Sequence, residues 1–402
     1  MTIEVQNDVW TMLKQLSIDT FTRDPLSLVN IWPTSSQQLV ESLGNTIDER
    51  HGRGTLDRAA GEFQQSQCVP PCHDFERTSR SFYLSAAKMP NKSGFVSFNI
   101  DDDIASLAGK VVFITGGTAG LGAASVHAFA QHNPEHIYFS GRNAQAAFKL
   151  IDEVKKSTPS ASLTFLEMDL SSLTSVHAAC KKFTHNRLDI LMCNAGIAEN
   201  PSARSVDGYE IHFATNHLGH AMLIRQLLPV LLNTAMEPDA DVRIVILSSR
   251  SWIITQKGGI LFEKLTTKQD GWWEKNFTYQ QSKLANLIYA RELAKRFPSI
   301  TTVSLHPGIV ATAMLAGQKP SSTAFMTIEN WFRGVSKVAE DEGALNQIWA
   351  AAGAKKSELV TGGYYEPVGV LCNNKLNSTA KDEGLAKKLW EWTEEALEKV
   401  EP

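Results

Sequence analysis

The fold of this chain is decided by residues 111–122, VVFITGGTAGLG. Five β-branched or apolar residues at 111–115 predict a buried strand, and the run after the glycines has helical character. Gly116, Gly120 and Gly122 allow the backbone to approach a pyrophosphate without a Cβ clash, and a helix N-terminus offers the anion unpaired N–H groups. The turn therefore predicts a dinucleotide site. The alternative, a turn that only closes a tight strand-to-helix junction, is weakened by its position after the first strand.

Short β-branched or apolar runs alternate with longer helix-like segments from about residue 107 onward. This rhythm is typical of stacked βαβ units and a parallel sheet. The clearest helices are predicted at 279–296, which Pro298 ends, and at 382–400, whose apolar stripe indicates a packing face. The predicted fold class is α/β, a Rossmann-type doubly wound parallel sheet flanked by helices. It has about seven strands, at 111–115, 136–140, 163–167, 189–193, 243–248, 301–306 and 363–366.

The composition argues against several functional classes. The chain has 402 residues and a formal net charge of -4, so neither nucleic acid nor an anionic membrane surface would be attracted to it. Its 5 cysteines are scattered and odd in number, which favours a reducing compartment, by default the cytoplasm, over a disulfide framework. Cys68, Cys72 and His73 lack a second ligand pair at suitable spacing, so no metal site is predicted.

Two uncharged stretches, residues 111–134 and 297–318, have roughly the length of a membrane span. Glycines interrupt the first stretch, and Pro298, Pro307 and Gly308 interrupt the second, so no membrane span is predicted. Glu4 and Asp8 near the start of the chain argue against a signal or transit peptide.

Residues 1–88 differ in character from the rest of the chain. They are rich in Ser, Gln and Thr, with several prolines and weak periodicity, and no domain is predicted there. One hypothesis is that translation begins at Met89 and that residues 1–88 are a gene-model artefact or a disordered arm. The predicted organisation is an N-terminal extension at 1–88 and a single Rossmann-fold domain at 89–402.

The second predicted strand ends in Ser140-Gly141-Arg142. Many dinucleotide-binding folds place here an acidic residue that binds the ribose hydroxyls of NAD. A guanidinium instead favours the 2′-phosphate of NADP, which it can bind through two hydrogen bonds. Arg142 therefore predicts NADP(H) rather than NAD(H) as cofactor. The alternative is a solvent-exposed surface arginine.

Tyr279 and Lys283 are four positions apart, so both side chains leave one face of a helix. Hydride transfer from a nicotinamide converts a carbonyl into an alkoxide that needs a proton, which a tyrosine can deliver. A lysine about 4 Å away contributes roughly 4 kcal/mol, about three pKa units, towards lowering the tyrosine pKa. The pair thus predicts general acid–base chemistry. The alternative is an aromatic residue beside a solvated lysine.

The fifth predicted strand ends in Ser248-Ser249, and ligands bind at the carboxyl ends of parallel strands. A hydroxyl at this place can donate a hydrogen bond to the substrate oxygen as charge develops on it. We assign this role to Ser249 rather than Ser248. The alternative is strand-end capping.

With these residues assembled, residues 101–402 resemble the short-chain dehydrogenase/reductase family, in its smaller single-domain branch. Each motif is weak alone, and their order is specific. The matching motifs are the cofactor turn Thr115-Gly116 with Gly120 and Gly122, the fourth-strand motif Asn194-Ala195-Gly196, the catalytic set Ser249, Tyr279 and Lys283, and the post-sixth-strand motif Pro307-Gly308.

The resemblance implies further roles at matching positions. Asn216, in FATNHLG at 213–219, is implied as the fourth catalytic residue, which helps to hold a water that relays protons to the lysine. The alternative is a polar residue that bends the helix. The resemblance also implies a possible homodimer through the helix at 279–296. Implied cofactor contacts are Asp169 at the adenine, Asn194, Leu121 and Gly196 along the cofactor, Val310 and Thr312 near the carboxamide, and Tyr279 and Lys283.

Two features depart from the family's usual pattern. Cys193 replaces the first asparagine of Asn-Asn-Ala-Gly, a change expected to leave the turn intact. The interval from Ser249 to Tyr279 is 279 − 249 = 30 positions, longer than is common in the branch. Similar insertions occur in retinol-dehydrogenase-like and fungal secondary-metabolism reductases, and the tail GGYYEPVG at 362–369 also resembles the fungal group.

Large apolar side chains in the insert and after Thr312 are expected to flank the nicotinamide, which predicts a bulky lipophilic ketone, aldehyde or alcohol as substrate. Packing of the insert on the body of the protein is an equally weighted alternative. A regulatory protein that binds NADP without turnover is the alternative function. The apolar residues are Trp252, Trp272, Trp273, Phe277, Met314, Phe325, Met326, Trp331 and Phe332.

Overall fold

The structure is a computed structural model that describes residues 96–198, 203–267, 272–308 and 340–400. The predicted division of the chain at residue 88 stays a prediction, because residues 1–95 lie outside the described part. Cys68, Cys72 and His73 lie outside it as well.

An eight-stranded sheet forms the centre of the described region, with the strand order β3-β2-β1-β4-β5-β6-β7-β8. All neighbouring strands pair in parallel except β7 and β8, which pair antiparallel. The predicted fold class is confirmed, and each of the seven predicted strands is present within one or two residues. The strands are β1 Val111–Thr115, β2 His136–Gly141, β3 Leu163–Glu167, β4 Ile190–Cys193, β5 Arg243–Leu247, β6 Thr301–Leu305, β7 Tyr364–Glu366 and β8 Val370–Leu371.

Helices cover both faces of this sheet. Successive residues of β1 alternate between two hydrophobic clusters, Val111 and Phe113 on one face and Val112 and Ile114 on the other, because strand side chains point to opposite faces in turn. The described helices are α1 Ile100–Asp103, α2 Gly120–Ala130, α3 Ala144–Ser157, α4 Leu173–Cys180, α5 Ile211–Phe213, α6 Gly219–Ala235, α7 Trp272–Arg296, α8 Glu340–Ile348, α9 Ser378–Lys381 and α10 Glu383–Glu398.

The helix predicted at 279–296 is longer than expected. As α7 it begins at Trp272, seven residues earlier, so part of the insert extends the helix. Residues 281–290 of α7 are all buried within the chain, and α10 lies against them, with Tyr289 stacked on Trp390 at 5.3 Å between ring centroids. This stretch therefore offers no exposed face for the homodimer that the resemblance implies. The predicted packing face of the helix at 382–400 is present, since Leu389 and Ala396 are buried and Trp392 packs edge-on against Phe213.

The order of the strands gives the sheet a point at which the chain reverses direction. The chain runs outward from β1 through β2 to β3 and then returns to the other side of β1 with β4. Ligands of such sheets bind outside the carboxyl ends of the strands at this reversal point. The glycine turn after β1, Asn194 after β4 and Ser249 after β5 all follow strands at this carboxyl edge of the sheet. Within the described residues, no helix is long and apolar enough to span a membrane.

Candidate active site

The glycine turn after β1 has the backbone geometry that its sequence predicts. Gly116 has a φ of +66°, a conformation that L side chains rarely adopt. A Cβ on Gly122 would lie 2.2 Å from the Gly116 carbonyl oxygen, so only glycine fits at this position. Ala119, the N-cap of α2, supplies no side-chain hydrogen bond to the helix N-terminus. The first N–H groups of α2 therefore lack a side-chain cap, as a site for a pyrophosphate requires.

Two other predicted cofactor residues follow the neighbouring strands. Arg142 is exposed directly after β2, beside Asn143, which caps α3. Asp169 is partly buried after β3, and its Oδ1 accepts hydrogen bonds from the Ser171 N–H at 2.9 Å and the Ser171 hydroxyl at 2.7 Å. The structure thus places a cation and a carboxylate at neighbouring positions along the carboxyl edge of the sheet.

The turn after β4 is fastened to the end of β1. The Asn194 side-chain amide donates to the Thr115 carbonyl at 2.8 Å, and the backbone N–H groups of Asn194 and Ala195 donate to Thr115 Oγ1 at 2.9 and 3.0 Å. Leu121 is partly buried, and the Gln347 side-chain amide contacts both its carbonyl oxygen and Asn194 Oδ1. The predicted cofactor residues of β1, α2 and β4 therefore meet in one hydrogen-bonded group.

Cys193, which departs from the family's usual asparagine, is fully buried at the end of β4. Burial raises the pKa of its thiol, so the side chain is neutral and packs as a small apolar group. The turn that follows keeps its hydrogen bonds to Thr115 without the asparagine. The expectation that this change leaves the turn intact is met in the structure.

Asn216 lies in a π-helical turn, Ala214–Leu218, between α5 and α6. Its Oδ1 accepts from the Ile197 N–H at 2.8 Å, and its Nδ2 donates to the Ile197 carbonyl at 2.9 Å and to Ser282 Oγ on α7 at 3.0 Å. A Cβ on Gly196 would lie 3.0 Å from Asn216 Oδ1 and 3.3 Å from Lys283 Nζ. Gly196 therefore lies close to both Asn216 and Lys283, and the water relay that the resemblance implies stays a prediction.

Tyr279 and Lys283 share one face of α7, with Lys283 Nζ 5.8 Å from the centre of the Tyr279 ring. The ammonium donates to the Leu247 carbonyl at 3.1 Å, and burial lowers the pKa of Lys283 to about 8. Burial also raises the pKa of Tyr279, while the hydroxyl of Ser249 opposes that rise. The Lys283 ammonium points at the Leu247 carbonyl rather than at the phenol, and the lowering of the Tyr279 pKa by Lys283 stays a prediction.

The two serines after β5 have different partners. Ser248 is buried, and its hydroxyl donates to the Lys283 carbonyl at 2.7 Å. Ser249 is half-buried and caps a short 3₁₀ turn, Arg250–Ile253, where its Oγ accepts from the Ser251 N–H at 3.3 Å. The Ser249 and Ser251 hydroxyls both lie beside the Tyr279 phenol, where they oppose the rise in its pKa. The geometry therefore favours Ser249 over Ser248 as the residue that meets a substrate oxygen.

Sequence reasoning missed an ion pair that holds the segment after Ser249. The Arg250 guanidinium donates to the two carboxylate oxygens of Glu366, on β7, at 2.8 and 2.9 Å, and Lys375 donates to the same carboxylate at 3.1 Å. These contacts join the 3₁₀ turn after Ser249 to β7, which lies two strands away from β5 in the sheet. The positions are 116 residues apart, and no local pattern links them.

Sequence reasoning also missed His220, whose ring contacts both Thr115 and Asn216. Its position four residues after Asn216 on a helical segment was a usable signal, because such residues lie on one face.

The apolar residues expected near the nicotinamide are only partly described. Trp252 is fully buried and packs edge-on against Tyr364 of β7, with 5.9 Å between ring centroids, so it belongs to the core and not to a substrate pocket. The expectation that it flanks the nicotinamide is wrong for this reason. The side chains of Trp272 and Trp273 lie outside the described part, as do Val310, Thr312, Met314, Phe325, Met326, Trp331 and Phe332.

The arrangement as a whole combines a turn that fits an anion with side chains that are able to transfer a proton. A helix N-terminus without a side-chain cap and a glycine that admits no Cβ fit a bound dinucleotide. A phenol, a serine hydroxyl and a buried lysine lie together at the same edge of the sheet. Such a set can bind an oxygen atom and transfer a proton to or from it.

Comparison with known proteins identifies the family to which the chain belongs. Residues 110–322, just over half of the chain, match the family model described as short chain dehydrogenase. The chain is 34% identical to the short-chain dehydrogenase/reductase drtF of Aspergillus calidoustus over 312 residues, 74% of this chain and 96% of that protein. It is 34% identical to human retinol dehydrogenase 14 over 310 residues, 71% of this chain and 85% of that protein.

Solved structures share the fold. A crystal structure of a protein from Mycobacterium paratuberculosis superposes with a TM-score of 0.56 at 25% identity, covering 75% of this chain and 98% of that one. The NADPH-bound carbonyl reductase from chicken fatty liver superposes with a TM-score of 0.50 at 20% identity, covering 70% and 99%. On the family match, the relatives and the residues assembled at the sheet edge, the chain belongs to the short-chain dehydrogenase/reductase family.

Proposed function

We propose that this chain is an NADP(H)-dependent oxidoreductase that interconverts a ketone or aldehyde and an alcohol on a lipophilic small molecule. The observation that carries the proposal is the placement of Tyr279, with Ser249 beside it and Lys283 on the same helix face, at the sheet edge that holds the glycine turn. The bound nicotinamide supplies or accepts the hydride in such chemistry. Tyr279 transfers the proton, and Ser249 hydrogen-bonds the substrate oxygen.

In this proposal, a bound ligand changes the protonation state of Lys283. Burial lowers its pKa to about 8, so an anionic group or a phenolate nearby would favour its charged form. Asn216 holds Ile197, the residue after Gly196, and joins this turn to α7 through Ser282. The water relay implied by the family resemblance remains a proposal for Asn216 and Lys283.

The choice of NADP(H) is supported by Arg142, which is exposed after β2 where a guanidinium can meet a 2′-phosphate. In the same proposal Asp169 contacts adenine, Leu121, Asn194 and Gly196 line the cofactor, and Val310 and Thr312 lie near the carboxamide. A lipophilic substrate is supported by the similarity to a protein named retinol dehydrogenase. A step in secondary metabolism is supported by the tail at 362–369, which resembles fungal reductases.

A cytoplasmic location is part of the proposal and is supported by the scattered, odd number of cysteines. A homodimer also remains a proposal. Because residues 281–290 of α7 are buried within the chain, a dimer would use another surface.

The test is a screen of the purified full-length chain with NADPH and with NADH against lipophilic ketones and aldehydes, with Tyr279→Phe as the matched variant. We expect NADPH oxidation by the wild type and a loss of about 100- to 10,000-fold in the variant, the usual contribution of a positioned proton donor. The Tyr279→Phe variant should still bind NADPH. An equally active Tyr279→Phe enzyme contradicts the mechanism. Tight NADPH binding with no turnover on any carbonyl would instead favour the alternative, a regulatory protein that binds NADP without catalysis.

A further inference from the structure

His220 lies in the first turn of α6, four positions after Asn216, and only 2% of its surface is exposed. Both ring nitrogens have partners. Nδ1 lies 2.9 Å from the Asn216 carbonyl oxygen, and Nε2 lies 2.8 Å from Thr115 Oγ1. The ring therefore spans the space between the catalytic asparagine and the end of the first strand.

The partners fix which nitrogen carries the proton. A carbonyl oxygen only accepts, so Nδ1 must be the N–H donor to Asn216. Burial lowers the pKa of His220 to about 4, and the nearby charge of Lys283 acts in the same direction, so the ring is neutral. A neutral ring with a proton on Nδ1 has a bare Nε2, which accepts from the Thr115 hydroxyl.

The Thr115 hydroxyl is in turn fully used. Its oxygen accepts the backbone N–H groups of Asn194 and Ala195 at 2.9 and 3.0 Å. Its proton goes to His220 Nε2 at 2.8 Å, which is nearer than the other acceptor, the Met192 carbonyl at 3.4 Å. Thr115 ends β1 and precedes the glycine turn, and Asn194 follows β4. One hydroxyl thus sets the spacing of the two turns at the reversal point of the sheet, and His220 orients that hydroxyl.

The Asn216 contact links the same ring to the proton-transferring groups. Asn216 binds Ser282 on α7, and the Ser282 hydroxyl donates to the Tyr279 carbonyl at 2.7 Å. Thr115, His220 and Asn216 therefore connect the turn of β4 to the helix that carries Tyr279, with His220 on the Asn216 backbone carbonyl and Ser282 on the Asn216 side chain.

We propose that His220 is a positioning residue that locks the cofactor turns and the Asn216 backbone in one arrangement, through its Nε2 and its Nδ1–H respectively. This inference rests on the proposed function. It predicts that the two contacts have separate consequences, cofactor affinity on the Thr115 side and turnover on the Asn216 side.

Two substitutions separate the contacts. In His220→Asn the side-chain amide lies near the position of Nδ1. This variant keeps the hydrogen bond to the Asn216 carbonyl and loses the one from the Thr115 hydroxyl. In His220→Gln the amide reaches the position of Nε2, which keeps an acceptor for Thr115 and loses Asn216. We expect about a tenfold rise in the NADPH Kd with little change in kcat for His220→Asn, and about a tenfold fall in kcat with little change in Kd for His220→Gln.

The matched control is His217→Asn, whose amide does not reach the position of Nε2. His217 is buried on the same segment, and its Nε2 bonds Thr393 Oγ1 on α10 at 2.9 Å, away from the cofactor turns. Its substitution should lower Tm, and it should not change the NADPH Kd and kcat independently of each other. If both His220 variants change Kd and kcat by the same factors, as a general loss of packing would, the proposal is overturned.

A further measurement does not depend on turnover. Nitrogen NMR of the cofactor-free protein should show His220 with its proton on Nδ1 and no titration near the ordinary histidine pKa of about 6.5. A proton on Nε2, or titration near that value, overturns the inference even if the enzyme is active. A wild type that shows this tautomer but does not bind NADPH contradicts the proposed function and leaves the hydrogen-bonded lock in place.

Discussion

Lys283 donates a hydrogen bond of 3.1 Å to the carbonyl oxygen of Leu247, the last residue of β5. The same carbonyl accepts from Asn286 Nδ2 at 3.0 Å. The lysine is therefore held by the end of the sheet rather than by the phenol of Tyr279. Because its burial lowers its pKa to about 8, the protein keeps a cation in a place that disfavours the charge.

The Lys283→Met variant should be more stable and inactive. A fall in pKa from 10.5 to about 8 corresponds to about 3 kcal/mol of unfolding free energy, which methionine should recover at pH 7. Between about pH 8 and 10.5 the unfolded chain binds more protons at this lysine than the native state, so wild-type stability rises with pH and the difference shrinks. Denaturant titrations of both proteins across this range measure it.

The control for this prediction is Lys149→Met on α3, where 78% of the lysine side chain is exposed. It should change stability by less than about 0.5 kcal/mol at any of these pH values. A stability difference for Lys283→Met that stays constant with pH would show that the lysine charge is not its cause.

The two serines after β5 should respond differently to removal of the hydroxyl. Ser249→Ala should lower kcat by about 100- to 1,000-fold, because the substrate oxygen loses a positioned donor. Ser248→Ala should mainly cost about 1 kcal/mol of stability, because its hydroxyl bonds the Lys283 carbonyl at 2.7 Å. Steady-state kinetics and thermal unfolding of both variants check this. A larger loss of kcat in Ser248→Ala would reverse the assignment.

Gly122→Ala should abolish NADPH binding. The added Cβ would lie 2.2 Å from the Gly116 carbonyl oxygen and 2.7 Å from Asn194 Nδ2, so the glycine turn must open. Cofactor fluorescence titration measures the loss. Ala123→Gly is the matched control, since it weakens α2 by about 1 kcal/mol without adding a clash and should keep NADPH affinity. Comparable loss of binding in both variants would point to the helix rather than to the turn.

Arg142→Asp should shift cofactor preference from NADP(H) towards NAD(H). Loss of a charged contact to the 2′-phosphate, with a carboxylate in its place, should lower the ratio of kcat/KM for NADPH over NADH by about 10- to 100-fold. Lys156→Asp makes the same charge change at the exposed far end of α3 and should leave the ratio unchanged. An unaltered ratio in Arg142→Asp would remove the sequence argument for NADP(H).

Most of the sheet could be predicted because each parallel strand is buried on both faces and reads as a short apolar run, as in the VVFIT of β1. The strand β8 escaped prediction because it has two residues, and Leu371 is exposed, so no periodicity marks it. The early start of α7 escaped prediction because aromatic and polar residues alternate in the insert without a clear helical period. Length and composition could not separate its helical part from a loop.

The candidate site was predictable where spacing along one element is enough. Tyr279 and Lys283 share a helix face because they are four positions apart. The direction of the Lys283 ammonium was not predictable, since it depends on the Leu247 carbonyl of another element. Trp252 was misjudged for the same reason, because its partner Tyr364 lies more than a hundred positions away. Contacts of that kind leave no local trace in a sequence.

The cover of α10 over α7 has a consequence for how the enzyme comes into being. Tyr289 of α7 stacks on Trp390 of α10, which is synthesised 390 − 289 = 101 residues later. During translation, the apolar side chains of α7 that pack on α10 therefore stay uncovered until α10 leaves the ribosome. Contacts of such long separation form late in folding. The nascent chain is exposed to aggregation in that interval, and slow emergence of α10 should increase its demand for chaperones.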